Sequence, residues 1–481
     1  MYRSPAAFLF LCFCLVSTAL GEQPNLLLIT ADDLGIQLGC YGDSQAITPH
    51  MDRFAESSVR FDVAYVAQAS CSPSRSAMLT GLYPHANGQY GLANALKTLP
   101  ANKKFRLHDD IQKQTLPNLL KAAGYRCGVI GKLHVNPEKS FDLDLHDRNG
   151  FGSRQVEQQV SSARRFIEDS ANDPFFLMAN FFDPHVEAVR KGKQKTGRTI
   201  FPDQVSDLPA RPRMPEQLVP FPFQKIDDPK MMERVAGYYN CVERFDAAVG
   251  MLLKVLKETG HNDDTLIILL GDHGPPVGRG KTTCYEAGLR VPFLVRWPGV
   301  STPRVSNRLV SAVDITPTML DAAQMIVPEG LHGRSLRPIL ESEDSSWRDH
   351  LFAEFQFHGE RPYYPRRCVR DDRYKLIHNV LAESSKPAKS VDACPAPELA
   401  KKLDSDSLVR AGFERLQSPP EWELFDLQSD PWEWNNLADD PAMASVLAEL
   451  KGRLENWREE TSDPFRDDRF VEGLFSRIYP N

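Results

Sequence analysis

Five short apolar runs, each followed within a few residues by polar and chemically active side chains, limit most what this chain can fold into. They are residues 25–30 (NLLLIT), 127–131 (CGVIG), 174–180 (PFFLMAN), 265–270 (TLIILL) and 291–296 (VPFLVR). Each has the length and uniform apolarity of a strand buried on both faces. Helical patterns fill the intervals, at 116–123, 161–168 and 231–258. Such alternation predicts an α/β fold, a large mixed but mostly parallel sheet sandwiched by helices. Beyond about Trp347 the texture changes. Residues 350–354, 367–370, 374–378 and 422–426 read as antiparallel strands, and 442–457 as an amphipathic helix, so a smaller C-terminal α+β domain is expected. Residues 190–228, rich in Pro, Lys and Arg with little periodicity, read as a long surface excursion.

The N-terminus carries Arg3, an apolar stretch over 6–16 and the small-residue pattern Ala19-Leu20-Gly21. That is the form of a signal peptide, and its apolar stretch is shorter than the roughly 20 residues a membrane span needs. The expected organisation is therefore a leader over 1–21, a catalytic domain over 22–346 and the smaller domain over 347–481. The leader predicts export, to a periplasmic, secreted or lysosome-like compartment according to the host, without stable membrane insertion. A net charge of -7 with scattered basic residues gives no case for nucleic acid. Nine cysteines, less Cys12 and Cys14 of the leader, leave Cys40, Cys71, Cys127, Cys241, Cys284, Cys368 and Cys394. An odd number in an oxidising compartment leaves at least one unpaired, and their spacing does not resemble a zinc site.

In parallel sheets, ligands collect beyond the carboxyl ends of the strands. Four segments occupy that position here: Asp32-Asp33, Lys132 with His134, Asp183-Pro184-His185, and Asp272-His273. Asp32, Asp33 and Asp272 are hard oxygen donors of the type Ca²⁺ or Mg²⁺ prefers, with Zn²⁺ the lesser fit, and His273 can join them. A helix cap at Asp33 and a turn at Asp272 would be the purely structural alternative. Lys132, His134, His185 and Lys281 add positive charge and proton transfer on the same rim, a combination suited to a tetrahedral anion.

One stretch has no obvious structural reason. Residues 71–81, CSPSRSAMLTG, place a lone cysteine beside Pro73 and Arg75 in a chain expected to be exported. Cys71-Ser72-Pro73-Ser74-Arg75 followed by Leu79-Thr80-Gly81 resembles the signature of type I sulfatases, an alkaline-phosphatase-like family whose cysteine is converted to Cα-formylglycine during export. Further likeness, to the sulfamidase (heparan N-sulfatase) branch, lies in residues 80–85 (TGLYPH), 87–92 (NGQYGL), 131–138 (GKLHVNPE), 183–185 (DPH), 375–379 (KLIHN) and 460–464 (ETSDP). Two positions depart from that branch: Lys281 stands where it uses arginine and His273 where it uses asparagine, choices familiar among O-sulfatases.

The resemblance implies a sulfatase acting on a sulfated saccharide, with N-sulfoglucosamine of heparan-type glycans as the substrate. It implies one Ca²⁺ held by Asp32, Asp33, Asp272, His273 and the matured residue 71, and a formylglycine-generating enzyme as a maturation partner. A hydroxyl of hydrated formylglycine would attack sulfur beside Arg75 and Lys132. His185, with Lys281 close by, would protonate the leaving group, and His134 would take the proton that releases sulfate. The alternatives are an O-sulfatase on a glycosaminoglycan or other sulfated polysaccharide, a phosphate or phosphonate ester hydrolase, and a non-catalytic glycan-binding protein. A homodimer is compatible with the sequence. Arg361, Arg366 and Arg367, beside Tyr363 and Tyr364, are further candidates for an anionic sugar chain.

Overall fold

The apolar run over residues 25–30 becomes the middle of an eight-stranded sheet. The structure, a computed structural model, describes residues 23–96, 104–171, 173–202, 213–359, 363–382, 387 and 391–479. The leader expected over 1–21 lies outside the described residues, as does Arg361. In chain order the strands are β1 (Asn25–Ala31), β2 (Val59–Phe61), β3 (Ala64–Tyr65), β4 (Arg126–Ile130), β5 (Leu145–Asp147), β6 (Phe175–Phe181), β7 (Glu187–Lys191) and β8 (Gln194–Ile200). They continue with β9 (Thr265–Gly271), β10 (Phe293–Arg296), β11 (Arg304–Ser306), β12 (Val310–Ser311), β13 (Leu351–Phe355), β14 (Arg366–Arg370), β15 (Tyr374–Asn379) and β16 (Trp422–Asp426).

The large sheet has the order β11-β2-β10-β9-β1-β6-β4-β5. Strand β1 pairs in parallel with both β6 and β9, and β4 in parallel with β5 and β6. Strand β10 runs antiparallel to β9 and β2, which makes the sheet mixed. Every residue of β1, β6 and β9 is buried, the outcome their unbroken apolarity requires. The Val156–Ser170 helix turns Val156, Val160, Ala163, Phe166 and Ile167 inward at helical spacing. The long Pro229–Glu258 helix begins at a proper cap: the Asp228 side chain accepts from the Lys230 amide, and proline holds the first helical position.

Strands β13 to β16 form a separate antiparallel sheet. Its Val369, Leu376 and Leu424 share one apolar core with Leu450, Leu454 and Trp457 of the Ala444–Glu460 helix and with Ala77, Tyr83 and Val313. Ala77 belongs to the Cys71–Thr80 helix, so the smaller sheet buttresses the element that begins at Cys71. No helix among the described residues is long and apolar enough to cross a membrane.

Two sequence expectations need correction. The stretch 190–228 is not all surface: β7 and β8 form a hairpin, while Phe221, Phe223 and Ile226 are buried. Arg366, Arg367, Tyr363 and Tyr364 are not an exposed sugar-binding loop. All four are buried, and Arg367 is held by Asp463, because β14 is an inner strand of the smaller sheet.

Candidate active site

Because β1, β4, β6 and β9 are parallel and in register, their carboxyl ends emerge at one level. Ala31 lies opposite both Gly271 and Phe181, and Ile130 opposite Ala179. The segments carrying Asp32-Asp33, Lys132-His134, Asp183-His185 and Asp272-His273 therefore leave the sheet at a common rim. The backbone is forced there. Asp33 and His134 adopt left-handed φ values of 73° and 58°, a conformation that costs a non-glycine residue about 1–3 kcal/mol and persists where surroundings over-determine it. Gly131 (φ 82°) precedes Lys132, and a Cβ there would sit 2.3 Å from the Asn180 carbonyl oxygen. Only glycine lets the chain turn Lys132 into the rim at that approach.

Cys71 is the first residue of the Cys71–Thr80 helix, all ten residues of which are buried, and Gly81 (φ 69°) stops it with its amide donating to Ala77. The Cys71 Sγ lies 3.3 Å from His273 Nε2. Because His273 Nδ1 is 3.0 Å from the Gly274 carbonyl oxygen, a pure acceptor, Nδ1 carries a proton and donates. Nε2 then faces Asp33 Oδ1 at 3.2 Å and Asp272 Oδ1 at 3.8 Å. Burial pushes His273 down to about 4, which keeps the ring neutral near pH 7. Asp272 Oδ1 also accepts from the Asp33 amide at 2.9 Å.

Three cations surround these carboxylates. Lys132 Nζ donates to both oxygens of Asp32, at 2.9 and 2.7 Å. Lys281 Nζ lies 3.0 and 3.2 Å from the two oxygens of Asp33 and 3.1 Å from Asp392. Arg75 is wholly buried; its Nε donates to Asp272 Oδ2 at 3.0 Å and its Nη1 to Asn180 Oδ1 at 2.8 Å and to the Lys132 carbonyl at 3.1 Å. Burial opposes ionisation of Asp32, yet Lys132, His185 and Arg75 together hold it well below the usual carboxylate range. Burial and the neighbouring Asp32 charge push Asp272 up, to about 6. Burial likewise raises the Cys71 thiol.

The histidines differ in their commitments. His185 stacks on Phe182, at 4.9 Å between centroids, and its Nδ1 donates to the Val186 carbonyl at 2.6 Å. Nε2, 3.7 Å from Asp33 Oδ2, is the nitrogen left for proton exchange. His134 is held well below its ordinary value by burial and by Lys132, and its Nδ1 has no partner among the described residues. Asp183, one of the strand-end residues, points elsewhere: Arg154 and Arg244 bind it at 2.8 and 3.0 Å, and Arg154 also donates to the His185 carbonyl at 2.7 Å. Asp183 thus anchors the loop that carries His185.

Sequence reasoning missed four contributors. Asn180 and Thr30 bind Arg75 and each other, and Asn180 was recognisable as the one polar residue inside an apolar strand. Asp392, paired with Lys281, and His358, whose Nδ1 is 2.9 Å from Ser70 Oγ, lie in irregular segments without a periodic signal.

The donor set fits one hard cation. Ligand atoms from Asp33, Cys71 and His273 lie within 4.8 Å of one another, as do those from Asp32, Cys71 and Asp272. A spread of that size suits Ca²⁺, whose ligands sit at roughly 2.3–2.6 Å from the ion. The charge balance agrees: Arg75, Lys132 and Lys281 offset three of the four carboxylates Asp32, Asp33, Asp272 and Asp392, so a divalent ion would turn the net charge positive for an anionic substrate.

Residues 24–325 match the sulfatase family. The chain belongs to it. Residues 279–391 also match the family described as N-sulphoglucosamine sulphohydrolase, C-terminal. The human N-sulphoglucosamine sulphohydrolase is 33% identical over 473 residues, covering 92% of this chain and 91% of that protein. An ulvan-active sulfatase of Formosa agariphila is 30% identical, covering 93% of this chain and 82% of that one. A solved structure described as being in complex with its substrate D-glucosamine-2-N,6-O-disulfate shares the fold, with a TM-score of 0.64, 22% identity and coverage of 92% of this chain and 99% of that one. This sulfatase is accordingly a hydrolase of sulfate esters or sulfamates, built on the mixed sheet with its antiparallel C-terminal partner.

Proposed function

We propose that this sulfatase removes the N-sulfate of a terminal glucosamine residue in a heparan-type saccharide, with Cys71 matured to formylglycine and one Ca²⁺ bound. The observation that carries this reading is the convergence of Asp32, Asp33, Asp272 and His273 on Cys71, ringed by three buried cations. The N-sulfate preference rests on likeness to the human N-sulphoglucosamine sulphohydrolase and to its C-terminal family. Asp32, Asp33, Asp272, His273 and residue 71 would hold the cation, which when bound polarises sulfate oxygens and lowers the proton affinity of an oxygen nucleophile. The formylglycine supplies, as its hydrate, a hydroxyl in place of the thiol.

The chain's other residues account for binding and proton movement. Lys132 and Lys281 are point charges that can follow negative charge on sulfate oxygens as it develops, and Arg75 fixes Asp272 rigidly enough to hold the arrangement. His185 carries its exchangeable proton at Nε2 because Nδ1 is committed to Val186, and delivers it to the departing nitrogen. An amine leaves poorly without that proton. His134 is assigned the proton that residue 71 must lose when sulfate departs.

An O-sulfatase activity is the second reading, favoured by Lys281 and His273 and by likeness to the ulvan-active sulfatase. Sulfate release from equal concentrations of N-sulfo, 6-O-sulfo and 2-O-sulfo disaccharides separates the two. We expect the N-sulfo substrate to be cleaved fastest; release from an O-sulfated sugar alone would overturn the assignment. The same proposal includes export under the leader over 1–21, maturation by a formylglycine-generating enzyme, and a boundary between the catalytic and C-terminal parts at 346/347.

A further inference from the structure

The β7–β8 hairpin is strongly basic. Arg190, Lys191, Lys193, Lys195 and Arg198 are all exposed, and none forms an ion pair with another described residue. A run of exposed cations alone is ordinarily a solvated face. Here the last residues of the hairpin, with Arg198 among them, line a cleft of about 900 Å³, bounded by residues 197–201 and 213–215, the first turns of the Pro229–Glu258 helix, Ala393 and Pro395. Among the described residues its lining holds four cations, Arg198, Arg213, Lys230 and Arg234, and one carboxylate, Glu233.

Arg234 sets this cleft apart from a solvated face. It is only 9% exposed, and its guanidinium is held by the Thr199 carbonyl at 3.1 Å and the Asp392 carbonyl at 3.3 Å. Its buried Nε has no hydrogen-bond partner among the described residues. Its guanidinium also lies over the Phe201 ring, 5.3 Å from the centroid, so this buried cation is met by neutral groups and has a spare donor that can take an anion. The cleft also adjoins the sulfate-cleaving centre through one residue: the Asp392 carbonyl accepts from Arg234, while its carboxylate lies 3.1 Å from Lys281 Nζ, itself 3.0 Å from Asp33.

We propose that this cleft is a subsite for a second anionic group, sulfate or carboxylate, carried by a neighbouring residue of the same saccharide. The substrate class is then a polyanionic oligosaccharide, with the cleaved sulfate at the centre and the continuing chain laid across Arg213, Lys230 and Arg234 beside the basic hairpin. This rests on the reading of the enzyme as a saccharide sulfatase. The interaction is electrostatic and partly exposed, so it weakens as salt rises.

Binding is measured by titration calorimetry on Cys71→Ala protein, which binds without turnover, using a heparin-derived tetrasaccharide and N-sulfoglucosamine monosaccharide as probes. The tetrasaccharide is expected to bind about tenfold or more tightly than the monosaccharide, the factor a charge-assisted hydrogen bond supplies. Adding Arg213→Ala and Lys230→Ala, at residues outside the catalytic machinery, should remove that advantage and leave monosaccharide affinity unchanged; high salt should narrow the advantage, because the tetrasaccharide brings more charges to the protein. Equal affinities for the two probes, or an advantage that survives both substitutions, would overturn the subsite, as would a loss shared by both probes. Should wild-type enzyme release no sulfate from either probe while tetrasaccharide binding still depends on Arg213 and Lys230, the saccharide-sulfatase reading falls and the anion subsite stands.

Discussion

Two clusters of buried charge in this protein differ in how completely their atoms are matched. In the C-terminal part, Arg367 donates to both oxygens of Asp463 at 2.7 Å each, and Arg458 Nε adds a third bond at 3.0 Å. The Phe465 amide supplies a fourth donor to the same carboxylate, at 3.0 Å. At the sheet rim, by contrast, Asp32, Asp33 and Asp272 crowd together despite like charge, His273 Nε2 faces carboxylate oxygens, and Arg75 Nη2 and His134 Nδ1 have no hydrogen-bond partner among the described residues. Burial and ionisation are common to both. Incomplete matching is what distinguishes a site built to receive something from a clamp that is already closed.

The largest expected effect separates the clusters by activity. Cys71→Ala should lower turnover on the order of a thousandfold or more, since it removes the proposed nucleophile, while the thermal midpoint stays within a few degrees of wild type. A collapse of stability in this variant would erase the distinction and make the rim a clamp too. The complementary substitution, Asp463→Ala, strands two buried arginines and should cost about 3–5 kcal/mol of stability, the usual consequence of removing one partner of a buried ion pair. Chemical denaturation would measure the loss, and kcat/KM of the remaining folded enzyme should be unchanged.

A smaller effect concerns the cation. Exhaustive chelation should lower the thermal midpoint of the wild type, because an ion bound only to the folded state contributes about 2.7 kcal/mol at a hundredfold excess over Kd. Asp272→Asn should shrink that shift, whereas Asp463→Asn should leave its size intact. A midpoint insensitive to chelation in the wild type would break the ligand assignment.

The sequence made the rim more legible than the clamp, for a physical reason. Buried parallel strands must be uniformly apolar, so the first polar residues after residues 25–30 and 265–270 stand out, and they are Asp32, Asp33, Asp272 and His273. The same logic singled out Asp183, whose carboxylate serves Arg154 and Arg244, because position at a strand end does not determine side-chain direction. Arg366 and Arg367 read as surface because arginine seldom lies inside; Arg367 is buried against Asp463, nearly a hundred positions away, and Arg366 over the Tyr364 ring. Asp392 and His358 sit in irregular chain, where no period exists to be read. The fold class was legible from the alternation of apolar runs and helical patterns; the pairing of β10 against β9 was not, since a strand's direction leaves no mark on its composition.

The smallest effect is on acid stability. Arg367 overcomes the burial that would otherwise raise Asp463, and holds its carboxyl well below the ordinary range. A depressed folded-state value means the stabilisation is complete above the unfolded value of about 4 and is lost as pH falls through the lower, folded one. Asp463→Asn should therefore unfold with less dependence on pH below about 4 than the wild type, as followed by circular dichroism. An unchanged acid profile would show that the clamp contributes little to it.

The most direct test of the rim as a sulfate-cleaving centre is the mass of the peptide spanning residues 71–81, taken from wild-type enzyme active in sulfate release. The account predicts a peptide lighter than the thiol form by the difference between CH₂SH and CHO, in proportion to the active fraction. A fully active preparation whose peptide retains the Cys71 thiol would contradict it.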